Sequence, residues 1–245
     1  MSPATGVPES AREPAPVPHP GGLVRDLLPP TAVVVDVFGD VLDADRYPEA
    51  RLFPEEEAVI AEAVAKRGRE FITARFCARR ALAELGFPAV PLVPGERGAP
   101  SWPAGVVGSM THCEGFRAAA VAREADLASL GIDAEPALPL PDGVFESVTI
   151  PAERGPLAAL AMTTPGVPWD RLLFCAKEAV YKAWFPLTHR WLDFEEAHVV
   201  FQRDDGFRAR LLVDGPTVDG RTLDGFTGRW LMRDGIVATS VTVEH

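Results

Sequence analysis

One amphipathic stretch, residues 173–185, constrains the fold and the chemistry of this chain more than any other feature. At about 100° per residue, its apolar side chains form one stripe of a helix: Leu173, Ala176, Val180, Ala183 and Trp184. Glu178 and Lys182 lie four residues apart on the opposite side, where two such side chains are neighbours. Taken alone, this pair is typical of a solvated helix face. Two of the three lysines of the chain lie here, however, and Phe174 and Phe185 flank the polar face, which favours a functional surface.

The overall composition excludes several classes of protein. The 245 residues are 47% apolar, which suffices for one large domain or two small ones. The chain has no apolar run of about 18 residues and no signal-peptide pattern at its N-terminus, so we expect neither a membrane span nor secretion. The net charge of −11 argues against a general nucleic-acid binder. An anionic ligand would therefore need locally concentrated basic residues or a bound cation.

The cysteines indicate a reducing compartment. Cys77, Cys113 and Cys175 form an odd set, and their spacing is not that of a metal site. Reduced thiols fit this pattern best, so we expect a cytoplasmic protein.

The order of the predicted elements indicates two α/β halves. Residues 1–30 contain eight prolines and predict a disordered tail. Beyond it, strands alternate with helices, which predicts an α/β (α+β) fold with subdomains at 31–128 and 129–245. In the first half, we expect the helix that begins at Pro54 to break near Gly68. In the second, we expect the amphipathic helix to end at Pro186.

A cluster of basic residues interrupts the acidic chain between residues 66 and 80. This segment contains six basic residues and a single acid, Glu70. The basic residues are Lys66, Arg67, Arg69, Arg75, Arg79 and Arg80. The cluster is either a solvated helix face that pairs with nearby acids or an anion site, most plausibly for phosphates.

Two carboxylates share one face of a predicted strand at residues 127–135. Asp133 and Glu135 would lie about 7 Å apart along the strand, with Ile132 and Ala134 pointing the other way. Because neighbouring carboxylates repel, this pattern favours a cation between or near them, although a solvated strand end remains an alternative. Hard oxygen ligands favour Mg²⁺ or Mn²⁺ over zinc.

His112 lies at the end of a predicted strand, beside the turn at residues 113–115. A histidine in such a position is usually structural or exposed. The chain has no G-x-S-x-G elbow that would make Ser109 a hydrolase nucleophile, and it lacks both G-x-G-x-x-G and the Walker loop.

Four segments, taken in order, resemble the signature of the 4′-phosphopantetheinyl transferases, in particular the enterobactin/surfactin-type branch. They are RFCARRAL at 75–82, SMTHC at 109–113, GIDAE at 131–135 and AKEAVYK at 176–182. The resemblance covers residues 31 to about 240. GIDAEP together with WDRLLF is most similar to the actinobacterial members.

The resemblance implies a fold of two similar α/β subdomains related by a pseudo-twofold axis, with coenzyme A (CoA) bound in the cleft between them. It also implies a reaction in which a serine hydroxyl of an apo acyl or peptidyl carrier protein attacks the β-phosphate of CoA. The carrier receives 4′-phosphopantetheine, and adenosine 3′,5′-bisphosphate leaves. Members of this two-subdomain form usually act as monomers, so we expect carrier proteins and CoA as partners, with neither nucleic acid nor membrane.

The resemblance also implies roles for particular residues. Asp133, Glu135 and Glu178 would hold Mg²⁺ against the pyrophosphate. Glu178, or a water that it orients, would accept the serine proton, and Lys182 would contact the α-phosphate and the leaving group. The residues implied to hold CoA are Arg67, Arg75, Arg97, Met110, Thr111, His112, Lys177 and Lys182.

Two other classes of function share some of these features. A catalytically silent CoA- or nucleotide-binding protein would keep the cleft without a competent metal site. A Mg²⁺-dependent phosphohydrolase would share the carboxylates but would need no carrier protein. The presence of Asp133, Glu135, Glu178 and Lys182 together argues against the silent binder.

Overall fold

Two large antiparallel sheets, each covered by a long helix, and a small two-stranded sheet form the fold in a computed structural model that describes residues 22–245. The helices are α1 (Pro54–Ile60), α2 (Ala65–Glu84), α3 (Phe145–Val148), α4 (Pro151–Thr163) and α5 (Trp169–Thr188). The strands are β1 (Val33–Phe38), β2 (Val106–Cys113), β3 (Phe116–Arg123), β4 (Ser129–Pro136), β5 (Ala197–Phe201), β6 (Gly206–Leu211), β7 (Thr217–Val218), β8 (Arg221–Thr222), β9 (Gly225–Arg233) and β10 (Ile236–Val243). This mixed architecture confirms the predicted fold class, whereas the pseudo-twofold relation and the boundary at residue 128 stay predictions.

The first sheet has the strand order β1-β3-β2. Its middle strand is buried on both faces, which its short alanine side chains allow. Ala119 and Val121 pack toward α2, while Ala118 and Ala120 face a second core that also contains β4 and β10 residues. The sheet is therefore covered on one face by α2 and on the other by the C-terminal half of the chain.

The second sheet has the strand order β4-β10-β9-β6-β5, and α5 packs across β4 and β10. Gly131 makes this close approach feasible, because a Cβ atom there would collide with the backbone carbonyl of Ala179 on α5. The Ser129 hydroxyl donates to the carbonyl of Ala183, 2.8 Å away, on the same helix. These contacts hold the polar face of α5 beside the carboxylates of β4.

The predicted tail is too long. A 3-10 helix at Val24–Leu27 packs into the core, with Leu23 and Val24 fully buried. The Ser240 hydroxyl on β10 donates to the carbonyl of Leu27 at 2.7 Å. Apolar side chains between the prolines supply enough surface to order this segment. The rest of the predicted tail, 1–21, lies outside the described residues.

Two predicted helix boundaries are also wrong. The break between α1 and α2 lies at residues 61–64, where Val64 is extended, and Gly68 is inside α2. Gly68 is tolerated because its N–H still donates to the carbonyl of Val64 at 3.1 Å. Pro186 lies inside the last turn of α5, which ends only where His189 adopts a left-handed φ of 52°. A proline this close to a helix end removes one backbone bond without stopping the helix.

None of the helices within residues 22–245 is long and apolar enough to cross a membrane.

Candidate active site

A cavity of about 570 Å³ opens between α1, α2, β2, α5 and the loop at residues 94–102. The predicted site residues that line it are Arg67, Arg75, Arg97, Met110, His112, Glu178 and Lys182. The structure thus brings the basic cluster of α2 and the polar face of α5 to one cleft, although about 100 residues separate them in the sequence.

Two arginines of this cleft are held in place by their surroundings. Arg75 donates from Nε to the carbonyl of Leu92 at 3.1 Å, and its guanidinium lies 3.4 Å from the ring centroid of Phe71. Burial lowers the pKa of Arg75 to about 10, so it remains a cation at neutral pH. Arg97 lies in a left-handed turn, with φ of 52°, and its guanidinium is 5.2 Å from the ring of Trp191.

Lys182 and Asp133 form an ion pair at the junction of α5 and β4. The ammonium donates to Asp133 Oδ1 at 2.7 Å and to the carbonyl of Ile132 at 3.1 Å. Burial opposes the charge of Lys182, but the carboxylate of Asp133 raises its pKa overall. Asp133 is only 5% exposed, and its Oδ2 is buried without a hydrogen-bond partner among the described residues.

The other two carboxylates lie near this pair in an unfavourable electrostatic environment. Burial raises the pKa of Glu178 above its usual value, and the charge of Asp133 adds to that effect. Burial and Asp133 raise the pKa of Glu135 in the same way. Arg171 offsets part of the cost by donating to Glu135 Oε2 at 3.0 Å. Each of these acids would become more stable as a carboxylate if a cation were added.

These carboxylates fit a hard divalent cation. The described residues contain no group of three or more His, Cys, Asp or Glu side chains already arranged to hold a metal. The buried, unpartnered Oδ2 of Asp133 nevertheless lacks the positive partner that a cation would supply. The assignment of Asp133, Glu135 and Glu178 as metal ligands therefore stays a prediction, with a donor set that suits Mg²⁺ or Mn²⁺.

His112 reaches the cleft from the end of β2. Its Nδ1 lies 3.6 Å from Glu70 Oε2, and Glu70 in turn lies 3.7 Å from the buried Arg117. Burial lowers the pKa of His112, and the nearby charges of Lys182 and Arg117 add to that effect, so the ring is neutral at pH 7. A phosphate placed beside it would favour the protonated ring.

Two residues expected to contact CoA are placed elsewhere. Lys177 is 3% exposed and points away from the cleft, where it donates to Glu153 Oε2 at 2.9 Å and to the carbonyls of Val148 and Phe194. Every proton of its ammonium is used, so Lys177 stabilises the fold rather than holding a ligand. Thr111 is also buried, and its hydroxyl contacts Asp133 rather than the cavity.

Two residues that shape the site, Tyr181 and Phe71, were not predicted, whereas Phe185 was expected beside the polar face of α5. Tyr181 and Phe185 on α5, together with Phe71 on α2, line the cavity. The Tyr181 hydroxyl is buried and has no hydrogen-bond partner within residues 22–245. Helical spacing could also have identified Tyr181, since it flanks Glu178 and Lys182 on the polar face. Nothing in the local sequence indicated Phe71, whose apolar side chain reads as an ordinary core residue.

Glu178 lines the cavity together with the basic residues, whereas Asp133 and Glu135 lie near Glu178 and Lys182 outside its lining. Basic side chains around one cavity, with carboxylates beside them, are typical of enzymes that act on phosphate-bearing substrates. The family models agree with this class: the 4′-phosphopantetheinyl transferase N-terminal domain matches residues 55–122, and the 4′-phosphopantetheinyl transferase superfamily matches residues 129–230. The chain belongs to the 4′-phosphopantetheinyl transferase superfamily.

Three relatives from actinobacteria support the family over most of the chain. The 4′-phosphopantetheinyl transferase Svp of Streptomyces mobaraensis is 60% identical over 222 residues, covering 90% of this chain and 89% of the relative. Npt of Nocardia iowensis is 56% identical over 205 residues, which cover 80% of this chain and 91% of the relative. PptT of Mycobacterium tuberculosis is 48% identical over 232 residues, which cover 91% of this chain and 99% of the relative. The predicted resemblance to actinobacterial members is confirmed.

Proposed function

We propose that this chain transfers 4′-phosphopantetheine from CoA to a serine of apo acyl or peptidyl carrier proteins and releases adenosine 3′,5′-bisphosphate. The observation that carries the proposal is the cleft itself. In a chain of net charge −11, it gathers Arg67, Arg75, Arg97 and Lys182 around one cavity. Such a local inversion of charge suits a ligand with several phosphates.

The residues divide the work between binding and chemistry. Arg67, Arg75 and Arg97 hold the 3′-phosphate of CoA and nearby groups, and His112 contacts the pyrophosphate. Lys182 neutralises charge on the α-phosphate, which becomes part of the leaving group. Since phosphoryl transfer depends mostly on positioning and charge neutralisation, fixed cations of this kind account for much of the catalysis.

The transfer step needs a proton acceptor beside the attacking serine. The serine oxygen bonds to the β-phosphorus while the bond from that phosphorus to the bridging oxygen breaks. The serine proton passes to Glu178 or to a water that Glu178 orients, and the bridging oxygen leaves with the bisphosphate. Burial raises the pKa of Glu178, which makes its carboxylate a better proton acceptor than a solvated one.

Asp133, Glu135 and Glu178 are the residues that would hold Mg²⁺ or Mn²⁺. When bound, the cation would act as a Lewis acid on the pyrophosphate oxygens. Glu135 would have to share its carboxylate between the cation and Arg171, which now donates to Oε2.

Mass spectrometry of intact carrier proteins tests the function directly. Apo carriers from fatty-acid, polyketide and peptide synthesis are incubated with the chain, CoA and Mg²⁺. We expect a mass gain of one phosphopantetheine, absent in a carrier whose acceptor serine is changed to alanine. A failure to modify any of the three carriers contradicts the proposal.

A parallel reaction without carrier separates the two alternatives. A phosphohydrolase consumes CoA in that reaction, whereas a silent binder consumes none with or without carrier. We expect CoA consumption only when carrier is present.

We further propose that the chain acts as a monomer and that it is located in the cytoplasm. Analytical ultracentrifugation tests the oligomeric state, and cell fractionation tests the location.

A further inference from the structure

Two hydroxyl groups join β2 to β4 in place of a backbone ladder. The strands lie side by side but belong to different sheets. The N–H of Ile132 donates to Ser109 Oγ at 3.1 Å, and the N–H of Ala134 donates to Thr111 Oγ1 at 3.1 Å. Side chains of the first sheet thus satisfy backbone donors of the strand that carries Asp133.

Thr111 makes one contact that Ser109 does not. Besides accepting from Ala134, its hydroxyl donates to Asp133 Oδ1 at 2.9 Å. Both groups are buried, Thr111 at 3% and Asp133 at 5% exposure. A hydrogen bond to a buried carboxylate is stronger than one between neutral groups, so it fixes the rotation of the side chain.

Together with Lys182, this contact differentiates the two oxygens of Asp133. Oδ1 accepts from the Thr111 hydroxyl at 2.9 Å and from the Lys182 ammonium at 2.7 Å. Oδ2 is buried and accepts no hydrogen bond from the described residues. The buried Cys175 thiol lies close to the same carboxylate and also interacts with it, but a thiol is only a weak donor. Oδ1 therefore accepts from two strong donors, whereas Oδ2 has at most a weak one.

We propose that Thr111 is a positioning residue that turns Asp133 so that Oδ2 is available to the divalent cation. The inference rests on the proposed function for the identity of the cation. It extends that function by giving the N-terminal sheet a part in the metal site, since all three predicted ligands lie on β4 and α5. It also replaces the expected role of Thr111 in lining the nucleotide.

The direct test is the affinity of the full chain for Mn²⁺, with and without CoA. The electron paramagnetic resonance signal of free Mn²⁺ measures how much of the ion is unbound. Thr111→Val keeps the shape of the side chain and removes its hydroxyl. We expect this variant to bind Mn²⁺ about 10- to 100-fold more weakly than the unmodified chain. Thr111→Ser restores the hydroxyl and should recover most of the affinity.

Ser109→Ala is the matched control for the structural part of the contact. Like Thr111→Val, it leaves one backbone N–H of β4 without its acceptor, so both variants should lose thermal stability. Only Thr111→Val should lose Mn²⁺ affinity. In the transfer assay, Thr111→Val should lower kcat while leaving KM for CoA nearly unchanged, because the cavity lining is intact.

The outcomes separate this inference from the proposed function. If Thr111→Val and Ser109→Ala bind Mn²⁺ as tightly as the unmodified chain, Thr111 has no positioning role and the inference is overturned, even if transfer occurs. If the unmodified chain modifies no carrier, the proposed function fails. The comparison of Mn²⁺ affinities then still decides whether Thr111 orients Asp133.

Discussion

Lys177 tests whether a lysine next to the predicted catalytic residue Glu178 stabilises the fold instead of binding CoA. Its ammonium donates to Glu153 at 2.9 Å and to the carbonyls of Val148 at 2.9 Å and Phe194 at 2.7 Å. These contacts tie α5 to α4 and to the segment before β5. We predict that Lys177→Met destabilises the chain without weakening the binding of CoA.

The size of the effect follows from what remains around Glu153. Removing one partner of a buried ion pair costs about 3–5 kcal/mol. Glu153 keeps two backbone donors, the N–H groups of Ile150 at 2.9 Å and Val199 at 2.8 Å, which offset part of its burial. We therefore expect a loss of about 3 kcal/mol in the free energy of unfolding, at the lower end of that range. For a chain of this size, that loss lowers the melting temperature by about 6–12 °C.

Differential scanning calorimetry measures the melting temperature. Isothermal titration calorimetry measures the affinity for CoA at a temperature where the variant is folded. Arg67→Met is the control, since Arg67 is exposed and lines the cavity. It should weaken CoA binding about tenfold and leave the melting temperature unchanged. An unchanged melting temperature with lost CoA affinity in Lys177→Met would refute the structural role.

Three further predictions concern the site and the packing that supports it. Glu178→Gln should slow transfer at least about 100-fold in the carrier assay while CoA still binds, and an unaltered rate would exclude Glu178 as the base. Because burial holds the pKa of His112 below 6.5, the unfolded chain takes up that proton first, so the CoA-free chain should lose stability as pH falls through about 6.5. The His112→Asn variant should lose less stability over that pH range. If denaturant unfolding gives the same change of the free energy of unfolding with pH for both proteins, the lowered pKa of His112 is contradicted. Gly131→Ala should destabilise the chain by about 1–3 kcal/mol through its collision with Ala179, whereas Gly68→Ala, with open space around it, should stabilise it by about 1 kcal/mol. A harmless Gly131→Ala would show that α5 and β4 are less closely packed than described.

Local patterns were sufficient to predict most of the elements of the fold. The 3.6-residue period of α5 and the strand that carries Asp133 and Glu135 both lie where they were expected. The errors concern contacts that no local pattern contains. Pro186 and Gly68 are weak breaks that tertiary packing overrides. The segment at Val24–Leu27 is ordered because β1, β9 and β10 offer it a surface.

For the candidate site, too, the sequence was sufficient to predict where residues lie along the chain but not which contacts their side chains make. Most of the residues expected to face phosphates lie on α2, β2 and α5, and Arg97 reaches the same cavity from the loop at residues 94–102. The direction of individual side chains was not predictable. Lys177 and Glu178 are adjacent in sequence, yet one enters the core and the other faces the cleft, since neighbours on a helix differ by about 100°. Thr111 points from β2 toward Asp133, a partner that only the approach of the two sheets supplies.

A crystal structure of the chain with CoA and Mn²⁺ would test most directly whether the cleft and the carboxylates form one active site. The anomalous signal of manganese locates the ion independently of the protein atoms. We predict that the pyrophosphate lies beside Lys182 and His112 and that the ion contacts it together with Asp133 Oδ2, Glu135 and Glu178. An ion bound away from these carboxylates, or CoA bound outside the cavity, would contradict the assignment.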